Sequence, residues 1–131
     1  MNHTRVLAPA AVALTAVLLS AGAAAPAMAK DGDVRTSGGC AGPAVWKMKA
    51  SPEDGRIEVE GEIDSNRNGQ TWRWTLKHDG TVFARGTRIT AGPSGSFEVR
   101  RVTGNRAGTD TFVINAHRPG TTQACHGVVR F

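Results

Sequence analysis

Two cysteines, three tryptophans, four histidines and a short row of glutamates are the residues of this 131-residue sequence whose types could do chemistry. Cys40 and Cys125 have no neighbouring Cys-x-x-Cys partner, so a metal pair or a redox thiol motif is not indicated. Asp64-Ser65-Asn66-Arg67-Asn68-Gly69 repeats the first half of a calcium loop. A full loop needs a bidentate Glu at its twelfth position; that position is Thr75, and Arg67 puts a cation inside the loop. A turn built on Asx side chains explains the same residues. His117 and His126 could meet across neighbouring strands, but two imidazoles without a third ligand make a poor zinc or copper site. Serine never occurs in a Gly-x-Ser-x-Gly elbow. Glu58, Glu60 and Glu62 alternate along one segment, as a glycosidase pair might be sought. Facing outward opposite Lys47 and Lys49, they are better explained as cross-strand ion pairs. No catalytic residue, metal or cofactor is therefore expected, and the chain is not read as an enzyme.

The compartment follows from the first thirty residues. Met1–Arg5 is a short basic start, and Val6–Leu19 is an apolar run that fits a signal peptide and is short for a membrane span. Ala27-Met28-Ala29 offers the small-x-small pattern for cleavage before Lys30, with Ala25-Pro26-Ala27 as a second choice. Residues 1–29 are expected to be a removed signal peptide. The protein would then be secreted, with no stable membrane insertion after cleavage. Export places both cysteines in an oxidising environment, where a Cys40–Cys125 disulfide is the default. The formal charge of +5 loses only Arg5 with the signal. The rest is basic enough to favour anionic partners, but it lacks the dense clusters of nucleic-acid binders, so no nucleic acid is expected.

The remaining sequence must supply the elements. Residues 30–39 are polar and Gly-rich and read as a flexible lead-in. From residue 40 to 131, period-two alternation recurs with turn signals between, and no stretch keeps a helical period. Seven strands are predicted: Val45–Ala50, Ile57–Ile63, Thr71–His78, Thr81–Ile89, Ser96–Val102, Asp110–His117 and Ala124–Phe131. Ser51–Gly55 is read as a turn, and Asp79-Gly80 as a two-residue type I′ hairpin. Trp46, Trp72, Trp74, Phe97 and Phe112 fall on inward positions and are expected in the core.

Seven such strands, with Gly95-Ser96-Phe97, Ala107-Gly108-Thr109-Asp110-Thr111-Phe112 and Cys125-His126-Gly127, resemble bacterial immunoglobulin-like modules and fibronectin type III domains. The chain is similar as well to a group of small secreted actinobacterial proteins. The resemblance implies an all-β fold, a seven-stranded antiparallel immunoglobulin-like sandwich with one disulfide. Antibody domains join their second and sixth strands, whereas here the cysteines precede the first and begin the seventh. Alternating strand directions gather Asp64–Gln70, Thr90–Gly95 and Arg118–Gln123 at the disulfide-bearing pole. Arg67, Arg88 and Arg118 make that pole the candidate binding surface for an anionic wall polymer or an acidic protein patch. The expected function is a non-catalytic binding module. A secreted inhibitor, or another factor that interacts with a protein, is the first alternative, and a carrier of a small hydrophobic molecule the second.

Overall fold

The computed structural model describes residues 32–131. The signal peptide and the Ala27, Ala29 and Lys30 cleavage positions lie outside the described residues. What is described is all-β: β1 (Val34–Gly39), β2 (Val45–Glu53), β3 (Arg56–Asp64), β4 (Thr71–His78), β5 (Thr81–Ile89), β6 (Ser96–Gly104), β7 (Thr111–His117) and β8 (Ala124–Arg130). They form two antiparallel sheets of four strands, ordered β1-β2-β3-β6 and β5-β4-β7-β8.

There are eight strands, not seven. Val34–Gly39, expected to be a flexible lead-in, pairs with β2 along its whole length, from Val34 opposite Ala50 to Gly39 opposite Val45. Its glycines suit a strand here because the neighbouring side chain needs their space. A Cβ at Gly38 would stand 2.8 Å from the Trp46 ring, which lies across it. The turn after β2 is also tighter than expected. β2 runs on through Ser51 and Pro52 to Glu53, and only Asp54 and Gly55, both at positive φ, make the hairpin. Pro52 is tolerated because β1 ends opposite Ala50 and leaves this stretch of β2 without a second neighbour. Asp79 and Gly80 both have positive φ, the geometry of a type I′ turn.

Between the sheets lie the inward faces. Trp72, Phe112, Ile57, Ile63, Leu76 and Ile114 are fully buried, and Trp74 and Phe97 nearly so. Trp46 is the exception among the tryptophans. It is half-buried and packs against the core from its margin, wedged between Gly38 of β1 and Gly127 of β8. There the two sheets meet: Thr36 Oγ1 donates to Val128 O at 2.7 Å, Ala41 bridges Ala124, and Cys40 is bonded to Cys125. Along the opposite margin the Arg101 guanidinium of β6 stands 5.3 Å from the Trp74 ring. Alternation thus sets which side chains point inward, and glycines and a disulfide set how the sheets are joined.

Candidate functional site

Charge divides between the two sheets. Strands β1, β2, β3 and β6 carry Glu53, Glu58, Glu60, Glu62, Asp64 and Glu98, matched by as many lysines and arginines. Strict cross-strand register turns these into pairs: Lys49 Nζ is 2.9 Å from Glu60, Lys47 Nζ is 3.9 Å from Glu62, and Arg100 sits among Glu58, Glu60 and Glu98. Those carboxylates, Glu60 foremost, hold the Arg100 guanidinium above its ordinary value. The glutamate row is therefore absorbed in a neutral ladder.

Strands β4, β5, β7 and β8 contain Arg73, Lys77, Arg85, Arg88 and Arg130 and not one Asp or Glu. None of these five forms an ion pair among the described residues. Buried Trp72, Trp74, Leu76 and His78 alternate with Arg73, Thr75 and Lys77, so the cations of β4 face outward. Arg73 lies opposite Thr87 and His117, and Thr75 opposite Arg85 and Asn115. His126 lies opposite Asn115, and its Nδ1 donates to Asn115 Oδ1 at 2.7 Å. His117 and His126 do share one face, diagonally placed, but amid cations rather than further metal ligands.

Three shallow clefts run together on this side. One, of about 420 Å³, is lined by Gly69, Gln70, Thr71, Arg73, Thr87, Arg118 and Pro119. A second shares Arg73 and Thr87 with it and adds Thr75, Arg85, Asn115 and His117. The third shares Asn115 and His117 with the second and ends at His126 and the Cys40–Cys125 bridge. The result is a basic trough from the disulfide-bearing pole across the outer face.

Of the three arginines expected to mark that pole, only Arg118 lines the trough. Arg67 is exposed on the 65–70 loop, whose backbone is held by Ser65 and Thr90 hydroxyls donating to Arg67 O. Arg88 lies opposite Trp72 and so shares the other face of its strand. Arg73 and Arg85 were missed because they read as ordinary outward positions. Only the sheet order shows that no carboxylate lies beside them. In the half-matched calcium loop, Asp64 Oδ1 accepts the Asn66 amide at 2.9 Å, closing an Asx turn.

A second cluster sits at the opposite pole. Buried His78 Nε2 is 2.6 Å from Oδ1 of fully buried Asp110, and Thr103 Oγ1 is 3.3 Å from His78 Nδ1. Asp79 lies 3.7 Å from the same imidazole and is itself paired with Arg106 at 3.2 Å. Hydroxyl, imidazole and carboxylate in line have the order of a nucleophile relay. Here the imidazole is enclosed by Phe83 and Phe112, and Asp110 also accepts the Arg106 amide. The group ties β4, β6 and the 105–110 loop together. Its signal in the sequence, one His-Asp-Gly hairpin and a distant Asp, is too short to read. Comparison with known proteins returned no matching family model, no matching curated protein and no matching solved structure.

Proposed function

We propose that this chain is an exported, non-catalytic binding module whose rigid sandwich presents a basic outer face to an anionic partner. One observation carries the reading: the four strands of one sheet hold five cations, four of them (Arg73, Lys77, Arg85 and Arg130) on its outer face, and no carboxylate, while the other sheet balances its charges. Uncompensated cations on one face repel one another, which folding gains nothing from, and they raise the local concentration of anions. Arginine dominates the set, and its planar fork suits carboxylate or phosphate oxygens. The disulfide between the described cysteines is compatible with export.

The strand order supports an immunoglobulin-like reading of the sandwich. With β2, β3 and β6 as A, B and E, and β4, β7 and β8 as C, F and G, the neighbours A-B-E and C-F-G match the strand order of that fold. β5 then stands beside C, and β1 is added outside A.

The test uses protein recovered from the medium, whose intact mass should place its first residue at Lys30. Its binding to an anionic wall polymer is followed across a salt series. Binding that weakens steadily with salt, and is lost in Arg73→Glu with Arg85→Glu, supports the reading. Binding to no polyanion at low salt, or equal binding by the charge-reversed variant, overturns it.

A further inference from the structure

We infer that the cleft between Gln70, Arg73 and Arg118 is a subsite for one acidic group of a hydroxyl-rich chain, and that the trough takes an acidic glycan. This rests on the anion-binding reading of the basic face and narrows it to a class of ligand.

Gln70 is the first reason. It is 9% exposed, and its backbone is clamped on both sides. Its amide donates to Thr90 Oγ1 at 3.0 Å, and its carbonyl accepts the Thr90 amide at 2.9 Å. Yet its side-chain carboxamide has no hydrogen-bond partner among the described residues, and its Oε1 is buried without one. A buried amide left unpaired is costly, and the residue lines a cleft. An acceptor oxygen on a ligand reaches the unpaired Nε2, which is not one of the buried orphan atoms, and Oε1 becomes reachable when the carboxamide turns over.

The second reason is what stands around it. Arg73 and Arg118 line the same cleft, neither in an ion pair among the described residues, with the hydroxyls of Thr71 and Thr87 beside them. The guanidinium pair fits a carboxylate, and the hydroxyls and amide fit alcohols. The adjoining cleft repeats the combination, with Arg85 and His117 beside Thr75 and Asn115. A chain with an acidic group on successive units and hydroxyls between them matches both stations.

Other polyanions match less well. Nucleic-acid grooves rely on exposed aromatics for base stacking, whereas Trp72 and Trp74 are buried in the core and half-buried Trp46 lies at the seam between the sheets, packed against Gly38 and Gly127. Protein interfaces centre on large apolar or aromatic anchors; here the one aromatic lining the trough, Trp74, is 4% exposed, and the accessible side chains beside it are those of Arg, Thr, Asn and His.

The experiment measures binding of polygalacturonate, its trimer and poly-glutamate at low and high salt. The parent is compared with Gln70→Glu, Gln70→Ala and Arg118→Ala, and with Lys77→Ala plus Arg130→Ala, which removes cations of the same sheet outside the clefts. Each variant's melting temperature is recorded. Gln70→Glu keeps the side-chain shape; should it unfold, Gln70→Ala and Arg118→Ala carry the test. Expected are a preference for polygalacturonate over poly-glutamate and a loss of about tenfold or more in trimer affinity for the cleft variants. The Lys77/Arg130 variant should lose less than about threefold. Salt-sensitive binding in which all variants weaken alike removes the subsite and leaves the basic face standing. Equal binding of poly-glutamate overturns the glycan class. Failure of both polymers to bind overturns the subsite and the broader reading together.

Discussion

His78 and Asp110 illustrate how a side chain on an inward position is stabilised when it is not apolar. The period-two pattern of β4 continues the face of Trp72, Trp74 and Leu76 to His78, which is 3% exposed. A buried imidazole needs partners for both nitrogens, and Asp110 and Thr103 provide them from two other segments. Removing the ring leaves a fully buried carboxylate without its nearest partner, and breaking such pairs is costly. His78→Ala is expected to lower the unfolding free energy by about 3 kcal/mol, read from urea denaturation. A loss below about 1 kcal/mol would show that the pair contributes little beyond what water replaces. The outward Arg73 and Arg85 are the opposite case, since nothing in the packing requires them to be charged.

β1 shows that a strand can be specified by its neighbour. Val-Arg-Thr-Ser-Gly-Gly has weak strand propensity and no apolar alternation, yet six register pairs hold it to β2. What selects it is room for an indole. Trp46 covers Gly38 on one side and Gly127 on the other, where added Cβ atoms would stand 2.8 and 2.6 Å from the ring. Gly38→Val must push Trp46 off its seat at the seam between the sheets, and overpacking of this kind costs about 1–3 kcal/mol. The expected outcome is a lower melting temperature with a shifted Trp fluorescence maximum. An unchanged spectrum and stability would mean the ring is free to swing into solvent.

Taken as one body, the domain is two sheets of unlike surface, bonded at one margin. At that margin the sheets are joined by the Thr36 to Val128 hydrogen bond and the Ala41–Ala124 bridge, and at the opposite pole Thr103 of β6 meets His78 of β4. The Cys40–Cys125 bond spans 85 residues of sequence at that margin. Loop-closure entropy alone makes such a crosslink worth about 4–5 kcal/mol, a large share of a small domain's stability. Reduction is expected to move the denaturant midpoint down markedly without abolishing β structure, as followed by circular dichroism. A midpoint unchanged by reductant would show that the hydrogen-bonded seam suffices.

The strands and their inward faces were readable in the sequence because burial imposes a period of two on each strand, and a side chain's face depends on neighbours two residues away. β4 and β5 were bounded correctly from the sequence for that reason, with Asp79-Gly80 marking their turn. The pairing of the two cysteines was likewise inferable, because only two are present. β1 was not readable, since its partner lies on another segment and its glycines mimic a linker. Nor was the trough. Arg73, Arg85, Arg118 and Gln70 are scattered along the chain, and each alone is an ordinary residue. Only the order β5-β4-β7-β8 sets them side by side with every carboxylate elsewhere, because charge balance on a face is a property of which strands become neighbours, and tertiary pairing decides that.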